Sequence, residues 1–456
     1  KYDVAVFDKA SYLNKETNNE TFGYHNYFEH YGLSATRGFG IQLLTGKSVG
    51  GGTSINWQTS LETPKQVLSE WDQLTSQDNY FDSNIFRESI KYVIDNLDVN
   101  TEYNNIPLKE EKLAEGFDKN NINYRVIPKN NSSNHGIECG FCAFGCGYES
   151  RNSSYKVWLN NEDFNGDIYS DTSIKRMILN NNEATHIEVE NNGVISIIEV
   201  EKVILAGGSL NTPSILLNSG YKNPQLGKNL KTHPVSGVAG RFKEEQKPWF
   251  GSMQGMHSED FLFKTDNYGY LLQGLPMHPS IFFPYFPNFV SSAADFIESY
   301  NNWSGAIVLT SDTSSGSLIN NGPLWKYTLN DFDSNHLLDG LTKLVKSYYL
   351  AGAEEIMVSA SPTMYWKRNE SQDIEEFINQ ILSIKNQPYR LLLGSAHQMG
   401  TARMNPNPKL GVTDLNGKVH GLDNVYIVDS SIFPRCSGVN PMVTIQSTSH
   451  FLMSQL

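Results

Sequence analysis

A strand, a glycine turn and a helix follow one another between Val203 and Gly220, and this succession constrains the fold more than any other stretch. The apolar residues 203–206 predict a buried strand, and Gly207 begins the turn after it. Thr212 as N-cap, followed by Pro213 at the first helical position, predicts a helix that ends at Gly220. In dinucleotide-binding folds such a unit returns the chain to the nucleotide, although any α/β protein contains similar units.

Residues 2–9 also predict a short buried strand, and Asp8 stands near its end. An acidic residue at this place is typical of the second strand of a dinucleotide-binding unit, where its carboxylate meets a ribose hydroxyl. The sequence has no G-x-G-x-x-G turn of the kind that seats a pyrophosphate on a helix N-terminus in such units. We therefore expect an α/β nucleotide-binding domain that lacks its first βα turn.

Three consecutive glycines, at positions 50–52, are followed by Thr-Ser-Ile and Asn56. Glycines allow the backbone to pass directly against a planar ligand, and Asn56 would offer its amide to the polar edge of that ligand. An ordinary glycine-rich surface loop would have the same composition. The segment alone favours neither interpretation.

His397 stands alone among small residues in the segment 394–404. A lone histidine is most often a satisfied core or surface residue, so a second reactive group is needed before the pattern indicates catalysis. Asn440 supplies such a group later in the chain. It follows a predicted strand that ends at Asp429 and Ser430, and it precedes a closing helix.

The formal net charge of −13, from 36 Lys+Arg and 49 Asp+Glu, argues against a nucleic-acid partner.

Three of the four cysteines cluster at Cys139, Cys142 and Cys146. This spacing suits an iron-sulfur cluster or a metal, with His135 upstream as the one further ligand nearby. A structural loop of small buried residues is the favoured interpretation, because free cysteine is among the most commonly buried residue types.

The periodicity of residues 63–103 predicts an amphipathic helical region that buries Trp71, Leu74, Ile85 and Tyr92. Residues 168–169, 174–179 and 194–200 predict strands, and residues 241–387 indicate a separate unit rich in aromatics and prolines. That unit contains the apolar strand 306–309, the helix 336–351 and the aromatic-proline segment 277–287. Such residues would roof a cavity for an apolar substrate, or they would form an ordinary core.

The segments 50–56, 206–220, 395–401 and 429–444 resemble, in this order, the motifs of the glucose-methanol-choline (GMC) flavoprotein oxidoreductases. Within that family, the cysteine segment 139–146 and the His397 segment look most like the long-chain fatty alcohol oxidases, with sterol oxidases as near neighbours. The resemblance extends over nearly the whole chain.

The resemblance implies an α/β (α+β) fold with a Rossmann-like FAD-binding domain and a separate substrate-binding domain built on an antiparallel sheet. The FAD domain is expected at residues 1–240, with a helical insertion at about 60–165, and the substrate domain at 241–390. Residues 391–456 would return to the FAD domain with the catalytic pair. Members of the family begin with the phosphate-binding turn, so the sequence is expected to be a fragment of a longer protein.

The implied reaction is the FAD-dependent oxidation of a primary long-chain alcohol to the aldehyde, with oxygen reduced to hydrogen peroxide. His397 would take the hydroxyl proton, and Asn440 would hold the same oxygen. The resemblance assigns Asp8 to the adenosine ribose, Ile174 and Ala206 to the adenine side, Gly51, Gly52 and Asn56 to the isoalloxazine, and Asp429 and Ser430 to the ribityl-pyrophosphate. It also assigns Gly207, Pro441 and Met442 to FAD, and it assigns no residue to a metal.

Two other functions stay open. The first is a GMC-type dehydrogenase or sterol oxidase that passes electrons to an acceptor other than oxygen, and the second is a non-catalytic remnant. The final residues Ser454-Gln455-Leu456 are close to the Ser-Lys-Leu peroxisomal address, so a peroxisomal location is expected, or otherwise an intracellular one with peripheral membrane contact. The sequence sets no oligomeric state.

Overall fold

The fold is described from a computed structural model, which covers residues 3–12, 19–282, 293–319, 324–385, 387 and 389–456. The helices are α1 (Glu20–Tyr27), α2 (Lys65–Leu74), α3 (Asn84–Asn96), α4 (Leu108–Lys119), α5 (Gly208–Asn218), α6 (Pro279–Phe282), α7 (Ala293–Glu298), α8 (Asp331–Leu350), α9 (Ile374–Ser383) and α10 (Met442–Met453). The strands are β1 (Ala5–Phe7), β2 (Gln42–Leu43), β3 (Val99–Asn100), β4 (Arg125–Val126), β5 (Lys129–Asn130), β6 (Asp167–Tyr169), β7 (Thr172–Asn180), β8 (Glu183–Asn191), β9 (Val194–Glu199), β10 (Val203–Leu205), β11 (Lys228–Leu230), β12 (Val235–Arg241), β13 (Met256–Ser258), β14 (Tyr270–Leu275), β15 (Trp303–Thr310), β16 (Gly316–Leu318), β17 (Trp325–Lys326), β18 (Glu355–Val358), β19 (Met364–Lys367), β20 (Gly394–Ser395) and β21 (Val425–Ile427).

The largest sheet is antiparallel along the order β19-β18-β12-β15-β14-β13-β4, and the short strands β20 and β2 join it beside β12. Its central strand β15 is buried along its whole length, as expected for a strand that is covered on both faces. The antiparallel sheet expected for the substrate side is therefore confirmed. The predicted domain boundaries stay predictions, and β12 lies on the boundary placed at residue 240.

Helix α8 packs on one face of this sheet. Its buried residues Leu337, Leu341 and Leu344 join Val308 of β15 and Ile356 of β18 in one hydrophobic core. A fully buried leucine side chain contributes about 1.5–3 kcal/mol relative to an exposed one, so this face supplies much of the stability of the sheet. The predicted strand at 306–309 and helix at 336–351 are confirmed.

A second group of strands, called the nucleotide side below, consists of two parallel pairs, β1 with β6 and β10 with β21, and of the antiparallel sheet β7-β8-β9. Parallel pairing of β10 with β21 joins residues more than 200 positions apart and brings the end of the chain back to this side. The mixed α/β architecture and the predicted strands at 168–169, 174–179 and 194–200 are confirmed.

The predicted helical region 63–103 is two helices, α2 and α3, separated by a turn, and only part of its predicted core is buried. Trp71 is fully buried, whereas Leu74, Ile85 and Tyr92 are 50%, 61% and 44% exposed. The buried face of α3 is set by Phe86 and its neighbours one helical turn apart, and Ile85 lies beside that face. Tyr92 instead stacks on Trp158 and His450 near the surface.

The predicted start of the helix after β10 is wrong by five residues. Helix α5 begins at Gly208, and both Thr212 and Pro213 lie inside it. Its first backbone amide, from Gly208, donates to the carboxylate of Asp429 at 2.8 Å, so a distant residue sets where the helix begins.

Part of the aromatic-proline segment, residues 283–287, lies outside the described residues, and so does Tyr2. In the part of the chain that is described, no helix is both long enough and apolar enough to cross a membrane.

Candidate active site

A cavity of about 1820 Å³ lies between the nucleotide side and the large antiparallel sheet. This volume exceeds the range of about 300–1,000 Å³ that is usual for a single small ligand, so it suits a dinucleotide together with a substrate. Every residue that the sequence assigned to catalysis or to FAD lines this cavity: Asp8, Gly51, Gly52, Asn56, Ile174, Ala206, Gly207, His397, Asp429, Ser430, Asn440, Pro441 and Met442. Their individual roles stay predictions.

The glycine segment forms one wall of the cavity with bare backbone. It makes a short 3-10 helix, Gly51–Ser54, after Gly50 with φ of 93°. A Cβ atom added to Gly51 or Gly52 would meet nothing within 4 Å, so the space in front of both residues is open. On the other side, a Cβ at Gly46 would lie 2.7 Å from the Cα of Gly52, so two backbone segments are in direct contact there. This surface fits a planar ring system.

Asn56 contacts the last helix instead of standing free in the cavity. Its Nδ2 lies 3.0 Å from the sulfur of Met442, and its Oδ1 accepts from the backbone amide of Gln58 at 3.1 Å. These contacts connect the glycine wall to the start of α10. Asn56 therefore helps to position this wall, whichever group the wall binds.

Asp8 lines the same cavity, beyond the last residue of β1. Its carboxylate accepts from the backbone amide of Ala10 at 2.9 Å, and burial raises its pKa above the ordinary value of 3.8. Ile174 of β7 and Ala206, which follows β10, line the same cavity. A carboxylate beside apolar residues suits a ribose and an adenine ring.

Asp429 lines the cavity but uses its carboxylate within the protein. It accepts hydrogen bonds from Gly208 N at 2.8 Å, from Ser431 N at 2.8 Å and from the hydroxyl of Thr212. This carboxylate occupies the N-terminus of α5, where a free helix end would attract an anion. The N-terminus of α5 is consequently unsuited to hold a pyrophosphate, and Ser430 beside it bonds to Ser209 and to the Gln398 carbonyl.

His397 projects from the loop after β20. Its backbone amide donates to Ser395 Oγ at 3.2 Å, and its Nδ1 lies 3.3 Å from Nδ1 of His233, with the two rings nearly perpendicular. Burial lowers the pKa of His397 from 6.5 to about 4. Burial and His397 also hold the pKa of His233 well below its ordinary value, so both rings are neutral at pH 7.

His233 was not identified from the sequence, although its position beside His397 is tightly fixed. The backbone amides of Thr232 and His233 donate to the carboxylate of Asp312 at 2.9 and 3.1 Å, and the hydroxyl of Tyr327 donates to it at 2.7 Å. A single histidine before a proline carries no signal that separates it from a core histidine.

Among the described residues, His233, Asp312 and Cys436 have donor atoms within 4.8 Å of one another, as a metal site requires, whereas the three clustered cysteines form no such group. The Asp312 carboxylate already accepts three hydrogen bonds, and the thiol of Cys436 lies 3.1 Å from Ser311 Oγ. We therefore assign this group to the support of His397.

Asn440 lies at the cavity wall with its Oδ1 bonded to Nε2 of Gln273 at 2.8 Å. Gln273 belongs to the buried strand β14 and was not identified from the sequence, because a single glutamine in an apolar strand has no motif around it. Apolar residues of the sheet and of α6 line the same cavity and give it an apolar side, namely Leu275, Ile281, Phe282, Ile307 and Leu309.

The residues present fit FAD at two of its parts, the flat isoalloxazine on the bare glycine wall and the adenosine near Asp8. The described cavity lining contains no G-x-G-x-x-G turn for the pyrophosphate.

Comparisons with known proteins point to one family. The GMC oxidoreductase family models match residues 26–235 and 305–449. The Arabidopsis thaliana long-chain-alcohol oxidase FAO4A is 31% identical in an alignment of 444 positions that covers 92% of this chain and 60% of that protein. FAO3 from the same plant is 26% identical in an alignment of 494 positions that covers 99% of this chain and 64% of that protein. The chain thus spans about 60% of the length of these relatives.

Two solved structures share the fold at low identity. Pyridoxine 4-oxidase from Mesorbium loti has a TM-score of 0.71 and 15% identity, and the match covers 99% of this chain and 94% of that one. Formate oxidase from Aspergillus oryzae has a TM-score of 0.69 and 14% identity, with the same coverage of both chains. Together, the two family models span most of the sequence in the order expected. The chain belongs to the GMC oxidoreductase family, whose cofactor is FAD.

Proposed function

We propose that the protein oxidises a primary long-chain alcohol to the aldehyde and that oxygen is the final electron acceptor, giving hydrogen peroxide. The observation that carries this proposal is that His397, Asn440 and an apolar wall line one cavity together with the glycine surface. The similarity to plant long-chain-alcohol oxidases supports the substrate class.

The oxidation removes a proton from the hydroxyl and a hydride from the carbon that bears it. FAD bound in this cavity supplies the hydride acceptor. His397 takes the hydroxyl proton, because a neutral imidazole is a base and burial keeps this ring neutral. Asn440 donates its amide N–H to the same oxygen and holds the carbinol carbon in place. The alkyl chain lies along the apolar residues of β14 and β15.

The tautomer of the histidine pair determines whether His397 acts as a base. His397 must carry its proton on Nδ1 and donate it to Nδ1 of His233, so that Nε2 of His397 keeps its lone pair for the substrate. His233 is then the acceptor of this bond, and its rigid backbone anchoring to Asp312 keeps the acceptor in place. We propose that His233 selects this tautomer.

The test is anaerobic reduction of the bound flavin by a long-chain primary alcohol, followed as loss of the flavin's visible absorbance. We expect reduction in the wild type and a rate lower by about 10²–10⁴-fold in His397→Asn, since a general base contributes about this much. His25→Asn, at an exposed position in α1, is the matched control and should reduce at the wild-type rate. Flavin that stays oxidised with alcohol present would refute the proposal.

The same preparation separates the alternative functions. Peroxide formed in proportion to alcohol consumed supports an oxidase, whereas reduction of a dye without peroxide indicates a dehydrogenase. Failure of the full-length protein to take up FAD indicates a non-catalytic remnant.

We propose a peroxisomal location, since a peroxide-producing enzyme belongs beside catalase and residues 454–456 are exposed. A fluorescent protein that ends in Ser-Gln-Leu should colocalise with a peroxisomal marker. Diffuse fluorescence would contradict this location.

A further inference from the structure

A row of hydrogen-bonded side chains along the cavity wall leads to Asn440. The hydroxyl of Thr59 donates to Oε1 of Gln254 at 2.7 Å, and Nε2 of Gln254 lies 3.3 Å from Oε1 of Gln273. Nε2 of Gln273 then donates to Oδ1 of Asn440 at 2.8 Å. Thr59, Gln254 and Gln273 line the cavity but are at most 5% exposed, so bulk water competes little for these bonds.

The direction of this row is set by one backbone group. Nε2 of Gln254 also donates to the carbonyl oxygen of Gly274 at 3.1 Å. A carbonyl oxygen can only accept, so the nitrogen of Gln254 must face it and the side-chain oxygen must face Thr59. The second N–H of Gln254 then requires an acceptor, which is Oε1 of Gln273. Each amide thereby fixes the orientation of the next.

The result at the end of the row is a defined orientation of Asn440. Because Oδ1 is bonded to Gln273, Nδ2 is the atom left for the cavity, and it donates to no atom in the described part of the chain. A reversed amide would place two donors, on Gln273 and Asn440, against each other and would cost the free energy of buried unpaired polar groups.

We propose that Gln273 and Gln254 are positioning residues that hold the amide nitrogen of Asn440 towards the cavity, so that this site accepts a ligand oxygen and rejects a second donor. The proposal rests on the proposed function in one respect, namely that this ligand oxygen is that of the alcohol. The hydroxyl gives its proton to His397. Its oxygen keeps lone pairs, and these accept a hydrogen bond from the N–H of Asn440. A protonated amine carries only N–H donors. Asn440 presents no acceptor to the cavity in this orientation, so the amine cannot form a hydrogen bond there.

The test compares two neutral probes that undergo no turnover, 2-decanone and decane, with the FAD-loaded protein by calorimetry. The ketone accepts a hydrogen bond and the alkane does not, so the ratio of their dissociation constants reports the donor at Asn440. We expect the ketone to bind the wild type about fivefold to tenfold more tightly, as one hydrogen bond contributes. Gln273→Met, which is of similar size but lacks the amide, should reduce this preference to about twofold or less.

Two further variants distinguish orientation from structural damage. Thr59→Val removes the far end of the row but leaves the contact between Gln254 and the Gly274 carbonyl, so the ketone preference should persist. Gln273→Glu should keep the preference at low pH, where the carboxylic acid donates to Asn440, and lose it as the pH rises and the carboxylate becomes an acceptor. Each ratio is compared with the wild type at the same pH, because other titratable groups lie near this position, namely Lys109, Glu110, Lys129, His257 and His397.

The proposal is overturned if Gln273→Met keeps the full wild-type preference, or if Thr59→Val loses it to the same extent. If Gln273→Met does not fold, ¹⁵N spectra of the side-chain amides in the wild type replace it. Added 2-decanone should shift the Nδ2 resonance of Asn440, which is identified by its absence in Asn440→Asp, and an unshifted resonance overturns the proposal. Neither measurement requires alcohol oxidation, so failure of the proposed function would be seen separately.

Discussion

Burial of His397 lowers the pKa of its imidazole from 6.5 to about 4, and this shift predicts the acid limit of activity. An imidazole whose pKa is lowered in the folded protein stays neutral until the pH falls to that lower value. Flavin reduction by alcohol should therefore be constant from about pH 8 to about pH 6 and decrease only as the pH falls through about 4. Stopped-flow reduction rates across this range check the prediction.

Retention of FAD must be measured at each pH, because burial raises the pKa of Asp8 and its protonation would weaken cofactor binding in the same acid range. A half-maximal rate near pH 6.5 with FAD fully bound would contradict the prediction, since it would indicate an unshifted imidazole.

The residues of the site differ in how far the sequence could identify them. His397 and Asn440 stand in segments with a recognisable pattern, and the structure places both at the cavity. His233 and Gln273 act through neighbours that are distant in sequence, and a polar residue next to a strand or inside one has no local pattern that shows its partner. Their contribution follows only from tertiary contacts.

At the level of elements, the start of α5 depends on Asp429, which lies 221 residues away from Gly208 in sequence. The local signals, Thr212 and Pro213, predicted a later start, and the tertiary hydrogen bonds of the carboxylate override them. The prediction of the helix itself was correct, because its apolar residues and the preceding strand are local features. Its first turn could not be predicted, because its capping group comes from another part of the chain.

Asp429→Ala should destabilise the protein by about 2–3 kcal/mol, because it leaves the amides of Gly208 and Ser431 and the hydroxyl of Thr212 without their acceptor. Urea unfolding of the FAD-free protein measures this change without a contribution from cofactor binding. Asp423→Ala, at an exposed position, is the control and should change the free energy of unfolding by less than about 0.5 kcal/mol. A wild-type midpoint for Asp429→Ala would show that this carboxylate does not support α5.

For the whole molecule, apolar patterns predicted single elements such as β15 and α8, whereas the antiparallel sheet was implied by the resemblance to the GMC family. The sequence could not predict how the parts meet. The cavity forms because β20 and β21 carry the C-terminal segment to both sides of the molecule, pairing with β12 and β10 respectively. Pairing between strands so far apart in sequence leaves no signal in either strand.

Strands β1, β6 and β10 of the two parallel pairs line the same cavity, and β1 and β10 each have one edge without a strand partner in the described part of the chain. A parallel strand beside them would satisfy these backbone groups, and a G-x-G-x-x-G turn with its helix would supply the pyrophosphate site that α5 does not provide.

We therefore predict that a protein carrying such a strand-turn-helix unit before Asp3 binds FAD at least about 100-fold more tightly than residues 3–456 alone. Fluorescence titration with FAD measures both affinities, and a unit with its glycines replaced by valine is the matched control. Bound FAD at about 100 times its dissociation constant should also stabilise the protein by about 2.7 kcal/mol, which a thermal melt detects. Equal affinities for the two proteins would show that the open edges are not where the cofactor's phosphates are held.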